Sequence, residues 1–428
     1  MKLLRILLLL ITVAVSVPTV AQEELLANDS LKEAADSMDV AADDSLVTDS
    51  LVADSIAMLP WPERVSYHME NLLKTSMFET SQAGIMVWDL DADSCVFRHR
   101  ERQLLRPASC MKLVTAITAV DKLGGGYLFK TQLKYTGERK DSILEGDVYV
   151  VGGMDPRFNS DDMTSLVMSL KEIGIDSIAG HIYADKSMKD SKPYGEGWCW
   201  DDKNYTLTPL LFKRKDEFMP AFLEKLYDEG IHPHDSAYEE KRCPQDAHLL
   251  TVRSHSIDQI LVKMMKESDN LYAESMLYQI AAATGDHPAS AKSAQRVEKA
   301  LINKVKLNAS GYRLADGSGL SLYNYVSAEL LVRLLRYAYQ NDNIYMHLLP
   351  SLPVAGVDGT LKKRMKGTAA QGNVHAKTGT LTGCYSLSGY CTASNGHHLC
   401  FSIINQGVMH ANNARTFQDK VCKVLTGK

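Results

Sequence analysis

Two residues with complementary chemistry stand three positions apart in the stretch RPASCMKLVTAITAV: Ser109 and Lys112. The stretch has the spacing of an amphipathic helix that begins near the serine, and residues i and i+3 share one helix face. The lysine amine can therefore take the proton of the serine hydroxyl, which is a weak nucleophile without a base. N–H groups at the helix start would stabilise an oxyanion. Taken alone, the same spacing is also typical of a serine that caps a helix.

Two further short motifs follow along the chain: Ser268-Asp269-Asn270 in KESDNLYAE and Lys377-Thr378-Gly379 in HAKTGTL. In isolation, the first is typical of a helix-capping cluster and the second of a solvated strand lysine beside a bulge glycine. The patterns S-x-x-K, S-x-N and K-T-G each occur once, in that order. Their joint occurrence indicates an active-site serine enzyme.

The elements that would position these motifs can be read from the apolar spacing. PERVSYHMENLLKTSM predicts a helix, and GIMVWDLDADSCVFRHR predicts two strands around the turn from Asp91 to Ser94. A helix is predicted from Asp161 to Ile173, and further helices run from a capping box at Ser256 and Gln259 to about Tyr339. NVHAKTGTL, CYSLSGYCTA and HLCFSIINQG predict three antiparallel strands, and RTFQDKVCKVL predicts a closing helix. Sheet and helices from both ends of the chain predict one α/β (α+β) domain that is interrupted in the middle.

The chain divides into four predicted parts. Residues 1–21 carry two basic residues, an apolar run and a small residue at the end, which is typical of a cleaved signal peptide. Residues 22–60 repeat Asp-Ser-apolar and predict a disordered acidic linker. Residues 61–131 and 247–428 would form the catalytic domain, and residues 132–246, rich in short strands and glycine, an inserted lobe. We expect a periplasmic protein without a membrane span after signal cleavage, and its net charge of −5 argues against a nucleic-acid partner.

Beyond the motifs, the sequence resembles a known family, the low-molecular-mass class C penicillin-binding proteins (D-alanyl-D-alanine carboxypeptidase/endopeptidase, peptidase family S13). The resemblance rests on PAS before Lys112 and on GGMDPRF, GWCWDD, ADGSGLSLYNYVS, LPVAGVDGTL and AKTGTLTGCYSLSGY. It covers about Gly84 to Gln406. It implies a penicillin-binding-protein/β-lactamase-like transpeptidase domain, with an antiparallel sheet flanked by helices and interrupted by one small β-rich lobe.

The resemblance implies an acyl-enzyme reaction on peptidoglycan stem peptides and cross-links, with β-lactams as covalent inhibitors and no cofactor or metal. Ser109 would attack the carbonyl of a D-alanyl-D-alanine bond, and Lys112 would take its proton. Ser268 would relay a proton to the leaving amine. Asn270 would hold the substrate amide and orient Lys112. A lysine base must be neutral, so burial and the neighbouring Lys377 are expected to lower the pKa of Lys112.

The third motif is expected to bind the substrate. Lys377 and Thr378 would hold its terminal carboxylate, and Gly379 would leave room for a substrate that lies close to the strand. The backbone N–H groups of Ser109 and Thr380 would form the oxyanion hole.

The sequence also departs from the family pattern. Family members carry two inserted lobes between the first two motifs, and the short chain between Lys112 and Ser268 predicts that the second lobe is missing here. In the retained lobe, Asp185 would contact the amine of the substrate's diamino acid, although it could equally be a turn residue. The arginine that would clasp the same side chain is replaced by Leu322. Recognition of diaminopimelate is therefore open.

Two other functions share parts of this pattern, a class A β-lactamase and a non-catalytic wall-binding protein. A class A β-lactamase needs a glutamate in the pattern E-x-x-L-N to activate the deacylating water; the pattern is absent, and VEKALIN from Val297 has one residue too many before Asn303. A non-catalytic wall-binding protein on the same scaffold would not need three intact motifs. The histidine pairs His232/His234 and His397/His398 lack the helical spacing of zinc ligands.

Two of the cysteines lie on the strands of one predicted hairpin. YCTASNGHHLCF reads as two strands around Asn395-Gly396, the favoured two-residue hairpin turn. This register places Cys391 opposite Cys400. It predicts either a cross-strand disulfide or two adjacent thiols.

Overall fold

The computed structural model describes residues 55–202 and 204–427. The predicted signal peptide and the predicted linker up to residue 54 lie outside this part, so both stay predictions. The chain divides into the units Met1–Pro60 and Trp61–Lys428, and the second contains all three motifs. Within the described ranges, none of the helices combines the length and the apolar character that a membrane crossing requires.

The second unit contains ten helices of more than one turn, counted over its described residues. They are α1 Trp61–Leu73, α2 Met111–Leu123, α3 Ser160–Glu172, α4 Phe218–Asp228, α5 Ile257–Lys266, α6 Asn270–Ala282, α7 Ala291–Lys304, α8 Ala328–Tyr339, α9 Asp342–Ser351 and α10 Ala411–Thr426. Single helical turns lie at Met77–Thr80, Ala108–Cys110, Ala309–Gly311 and Gly359–Leu361.

The strands are β1 Gln82–Asp89, β2 Ser94–His99, β3 Leu128–Tyr135, β4 Glu138–Lys140, β5 Ile143–Glu145, β6 Val148–Val151, β7 Ser177–Ile178, β8 Ile182–Asp185, β9 His232–Pro233, β10 Glu239–Glu240, β11 His248–Ser256, β12 His375–Leu381, β13 Cys384–Thr392 and β14 His398–Gln406. The predicted first hairpin, the helix predicted from Asp161 and the three strands of the last third are confirmed. So is the capping box of Ser256 and Gln259.

The sheet that carries the third motif has the strand order β12-β13-β14-β1-β2, and all its pairs are antiparallel. Its strands come from both ends of the chain, as the sequence predicts. α1 and α10 share an apolar core with one face of this sheet. α2, α5, α6, α8 and α9 contribute to the core on the other face. The predicted class, an α/β domain with an antiparallel sheet flanked by helices, is confirmed.

Helix α2 lies at the centre of the second core. Every residue from Met111 to Val120 is buried, so the helix has apolar neighbours on all sides. It packs against α6, α7, α8 and α9. This burial gives the first motif a rigid support and removes Lys112 from water.

The middle of the chain builds two more sheets. One has the order β10-β8-β6-β3-β11 and the other β4-β5-β7-β9. α3 and α4 pack on them in a separate apolar core. β3 begins before residue 132 and β11 lies wholly beyond residue 246, so the first of these sheets includes strands from outside both predicted lobe boundaries. The division into lobe and catalytic domain stays a prediction.

The predicted pairing of Cys391 with Cys400 is wrong by one residue. Cys391 lies opposite Leu399, because the hairpin closes at Ala393 and His397 and has a three-residue loop. Gly396 has φ +89° as the last loop residue, which is the position that a left-handed glycine takes in such loops. The shift turns the two thiols to opposite faces of the sheet: Cys391 lies in the core beside α10, and Cys400 in the core beside α8. All eight cysteines are free thiols.

Candidate active site

Ser109 and Lys112 of the first motif lie side by side. Ser109 belongs to the helical turn Ala108–Cys110, which leads directly into α2, and it is partly exposed. Lys112 occupies the first turn of α2 and is fully buried. Its Nζ lies 3.1 Å from Ser109 Oγ. The nucleophile therefore faces the cleft while its candidate base is shielded from water.

The Lys112 amine has two further partners, and both are hydrogen-bond acceptors. Nζ donates to Asn270 Oδ1 at 2.7 Å and to the Ser318 carbonyl at 2.8 Å. A neutral amine has two N–H bonds, and these two acceptors use both of them. The nitrogen lone pair is then left for the Ser109 hydroxyl proton. This is the arrangement that a lysine base requires.

Burial lowers the pKa of Lys112 to about 8, against the opposing charges of Asp316, Glu274 and Asp269. The expected lowering by burial is thus present. Lys377 is buried as well, and burial together with the charge of Lys112 lowers the pKa of Lys377 to about 7. The two lysines compete for protons within one dry site.

The second motif connects the two lysines. Ser268 Oγ accepts from Lys377 Nζ at 2.8 Å, and Asn270 is the first residue of α6. Ser268 has φ +60°, a left-handed conformation that is unusual for a residue with a side chain and is common at functional sites. Asp269 caps α6 by accepting from Tyr272 N, and it is ion-paired with Arg214. Ser268 and Asn270 therefore point into the site from a fixed helix start.

The third motif packs tightly against the first. A Cβ at Gly379 would lie 3.0 Å from Ser109 N and 2.7 Å from the Pro107 carbonyl. Cys110 Sγ donates to the Lys377 carbonyl at 3.1 Å. Glycine is required here because the strand backbone touches the turn that carries the nucleophile.

β12 is the edge strand of its sheet, and its outer side is open next to this contact. Ala376 N donates outward to the Pro353 carbonyl at 2.9 Å. Alternate residues of a strand share one direction, so the N–H groups of Thr378 and Thr380 also point outward. A pocket of about 350 Å³ borders the same residues. The predicted oxyanion hole and carboxylate site both need N–H groups that point outward in this way.

The loop around Asp316, for which the three motifs predict no catalytic role, supports the Lys112 base. Its centre is Asp316, which is 2% exposed and accepts five hydrogen bonds. The donors are Gly319 N, Ser321 N, Ser318 Oγ, Asn324 Nδ2 and Trp198 Nε1. The Ser318 carbonyl that receives the Lys112 amine belongs to this loop. The density of turn-forming residues in ADGSGLS was the available signal, but it does not reveal which groups the loop meets.

Asp185 and Leu322 stand apart from the three motifs. Asp185 is 5% exposed, and its two oxygens accept from Ser187 N and Cys243 N, both at 2.9 Å. Leu322 is exposed, and its carbonyl accepts from Arg106 Nε at 3.0 Å. These contacts are those of a buried turn aspartate and of a loop residue beside a cation.

One group of possible metal ligands occurs among the described residues: Asp89, Asp91 and His397. His397 Nδ1 lies 2.7 Å from Asp89 Oδ2. The group sits at the hairpin end of the sheet, whereas Ser109 touches β12 near Gly379 at the other end. It has no part in the serine–lysine site.

The described fold and site are typical of the enzymes that acylate the serine of an S-x-x-K motif. The model of the D-Ala-D-Ala carboxypeptidase 3 (S13) family matches residues 65–212 and 210–428, and the chain belongs to this family. The resemblance inferred from the motifs is confirmed.

Similar proteins have the same assignment. The chain is 25% identical over 407 residues to D-alanyl-D-alanine carboxypeptidase DacB of Haemophilus influenzae, which covers 76% of this chain and 85% of the relative. It is 27% identical over 434 residues to the D-alanyl-D-alanine carboxypeptidase of Actinomadura sp. strain R39, with 79% and 80% covered.

A solved structure has the same fold. Penicillin binding protein 4 (dacB) of Haemophilus influenzae superposes with a TM-score of 0.74 at 23% identity, over 83% of this chain and 97% of that chain. A predatory peptidoglycan endopeptidase from Bdellovibrio bacteriovorus superposes with a TM-score of 0.56 at 17% identity, over 81% and 94%.

Proposed function

We propose that this protein is a penicillin-binding serine peptidase that cleaves the D-alanyl-D-alanine ends and cross-links of peptidoglycan stem peptides. The observation that carries the proposal is the position of the Lys112 amine. In its neutral form, the two N–H bonds go to Asn270 and Ser318, which leaves the lone pair for the Ser109 hydroxyl. The names of the relatives, which are carboxypeptidases, support the same substrate class.

In the proposed acylation, Ser109 Oγ attacks the scissile carbonyl carbon while its proton passes to Lys112. The N–H groups of Ser109 and Thr380 receive the oxyanion, and the terminal carboxylate lies beside Lys377 and Thr378. When the tetrahedral intermediate collapses, the C–N bond breaks and the leaving amine takes a proton from Ser268. Ser268 recovers a proton from the hydrogen-bonded Lys377, and the proton that Lys112 took from Ser109 replaces it, so that both lysines return to their starting charge. Hydrolysis of the ester by water then regenerates Ser109.

The rival functions are not favoured. A class A β-lactamase uses a glutamate that acts on water beside the serine. The nearest candidate in this chain, Glu298, contacts Thr115, which lies one helical turn beyond Lys112. A non-catalytic wall-binding protein would have no need for a base with a lowered pKa. The periplasmic location is part of the proposal and rests on the predicted signal peptide.

Labelling with a fluorescent penicillin tests the nucleophile. The strained β-lactam carbonyl should acylate Ser109, and Ser109→Ala should remove the label without a change in thermal unfolding. The exposed Ser94→Ala serves as the matched control and should label normally. Labelling that survives in Ser109→Ala would refute the assignment.

Incubation with a mixture of muropeptides tests the substrate. Mass analysis should show loss of the terminal D-alanine from pentapeptides, conversion of cross-linked dimers to monomers, or both. The ratio of the two products gives the balance of carboxypeptidase and endopeptidase action. Release of the penicillin label within seconds, without any muropeptide product, would favour a β-lactamase instead.

A further inference from the structure

Three carboxyl groups lie together behind the Lys112 amine: Glu274, Glu298 and Asp316. Each is at most 2% exposed. Asp316 accepts the five hydrogen bonds described above. Glu274 accepts from Gly317 N at 3.1 Å and from Ser318 N at 2.8 Å. Donors therefore surround two of the three carboxylates, and only Glu298 is different.

No hydrogen-bond donor of the described chain is available to Glu298. Its Oε2 has no partner among these residues, and its Oε1 lies 3.4 Å from Thr115 Oγ1. Thr115 has a single hydroxyl proton, and it points at the Gly317 carbonyl at 2.8 Å. A carbonyl can only accept, so Thr115 cannot also donate to Glu298. Thr115 can keep its hydrogen bond to Gly317 and also form one with Glu298 only if the glutamate carries a proton.

Burial and charge lead to the same protonation state. A buried carboxylate without hydrogen-bond donors loses its hydration and gains no compensating interaction, so its charged form is destabilised. The acidic groups that face Glu298 are Glu274 on α6 and Asp316 in the loop, whereas α2 presents the Thr115 hydroxyl. Burial, reinforced by the charges of these two groups, raises the pKa of Glu298 to about 8. Near neutral pH the side chain is a carboxylic acid.

The peptide that Thr115 holds adjoins the peptide whose carbonyl accepts from Lys112. The Gly317 carbonyl is held by Thr115, and the N–H groups of Gly317 and Ser318 are held by Glu274. The Ser318 carbonyl accepts from Lys112 Nζ. A movement of Thr115 would therefore displace the Gly317–Ser318 peptide and, with it, the Ser318 carbonyl that binds the Lys112 amine.

We propose that Glu298 is a positioning residue for acylation: as a neutral acid it donates to Thr115 and thereby steadies the Gly317–Ser318 peptide, which adjoins the Ser318 carbonyl that binds Lys112. The proposal rests on the proposed function for its kinetic part and on the contacts alone for its structural part. When Glu298 loses its proton, Thr115 loses a donor and a further negative charge appears behind Lys112. That charge stabilises the ammonium form of Lys112, which cannot act as a base. Burial raises the pKa of the neighbouring Glu274 to about 8 as well, so Glu298 is not the only acid of this group that is neutral near pH 7.

The kinetic test compares Glu298→Gln, which keeps a neutral donor, with Glu298→Leu, which has none. The acylation rate with a fluorescent penicillin is measured between pH 6 and 10. The wild type should rise with pH and fall again above about 8, because Glu298 and Glu274 ionise there and Lys377 has lost its charge. Glu298→Gln should fall less steeply than the wild type above pH 8 and stay within about threefold of it at pH 7, and Glu298→Leu should lose about tenfold or more at every pH.

The structural test measures unfolding against pH in the same variants. A glutamate pKa raised from 4.5 to about 8 means that the folded state binds an extra proton between these values. The free energy of unfolding then falls as the pH rises through this window. Glu298→Gln should reduce that fall by the equivalent of one proton, and Glu224→Gln, at an exposed position of α4, should leave it unchanged.

Two results would overturn the inference. An unchanged pH dependence of unfolding in Glu298→Gln would mean that Glu298 is ionised in the fold. Acylation of Glu298→Leu at the wild-type rate would mean that it positions nothing; if this variant does not fold, Thr115→Val answers the same question. A wild-type protein that is never labelled would refute the proposed function, and the unfolding measurement would still decide the protonation of Glu298.

Discussion

Two lysine side chains are buried in one site, and the substrate can decide which of them keeps a proton. Burial lowers both pKa values, and the charge of Lys112 lowers the pKa of Lys377 further. Such a pair titrates as a unit. A substrate carboxylate beside Lys377 would stabilise that ammonium and so disfavour a second charge on Lys112. Binding of the substrate would itself free the base.

Lys112→Ala should slow acylation by about 10²- to 10⁴-fold, because Ser109 would lack its base. In the wild type, the rate should rise with pH up to about 8, since the neutral amine is the active form and the pKa of Lys112 lies there. This rise should disappear in the variant. Lys122→Ala, at an exposed position of the same helix, is the control. A rate within about threefold of wild type would make Lys112 structural.

Asp185 was predicted to contact a substrate amine, but its two oxygens already serve backbone N–H groups. Asp185→Ala should leave these two groups without an acceptor and lower the free energy of unfolding by about 1–3 kcal/mol for each. kcat/KM should then change equally for a peptide with a free amine and for its acetylated form. The exposed turn residue Asp235 provides the control variant Asp235→Ala. A loss confined to the free amine would instead support the substrate contact.

At the scale of helices and strands, features that depend on local sequence patterns could be predicted. The three motifs, the strands that carry K-T-G and the capping box at Ser256 follow from spacing and residue type. The hairpin register could not be predicted from Asn395-Gly396, because a glycine in the left-handed region suits both a two-residue loop and a three-residue loop. The loop around Asp316 could not be connected to Lys112 either, since 204 residues separate Lys112 from Asp316 in the sequence and only the tertiary fold joins them.

The segment around Trp198 supports that loop from the middle of the chain. Trp198 Nε1 donates to Asp316 Oδ2 at 2.9 Å. Trp198→Phe should remove one donor from a buried carboxylate, with a loss of about 1.5–3 kcal/mol in unfolding free energy. Acylation should slow as the loop loosens. Trp200, two residues further on, is 94% exposed, so Trp200→Phe is a matched control. Equal effects of the two changes would contradict a specific role of Trp198.

At the scale of the whole molecule, the two apolar cores on either side of the first sheet determine the state of the thiols. Cys391 and Cys400 lie in different cores, and the other six cysteines are also unpaired. The sheet itself therefore keeps the two thiols of the hairpin apart.

Alkylation of the unfolded protein should modify eight thiols with or without prior reduction, and reduction should leave the thermal unfolding curve unchanged. Mass spectrometry of the alkylated protein is the measurement. Cys391→Ser and Cys400→Ser should each destabilise through a buried hydroxyl, independently of each other. A mass difference of one disulfide between the reduced and unreduced samples would restore the register predicted from the sequence.

The K-T-G strand lies at the rim of its sheet, and from Lys377 onward no strand of the described chain covers its outer side. A row of free N–H and C=O groups is a template for any extended peptide. A substrate bound there would complete the sheet as a sixth strand, recognised by its main chain rather than by its side chains. The same uncovered strand edge could also pair with the edge of a second molecule. The strand is seven residues long, and Pro353 already occupies its beginning, so the exposed remainder has room for one short peptide but little for the edge of a second molecule.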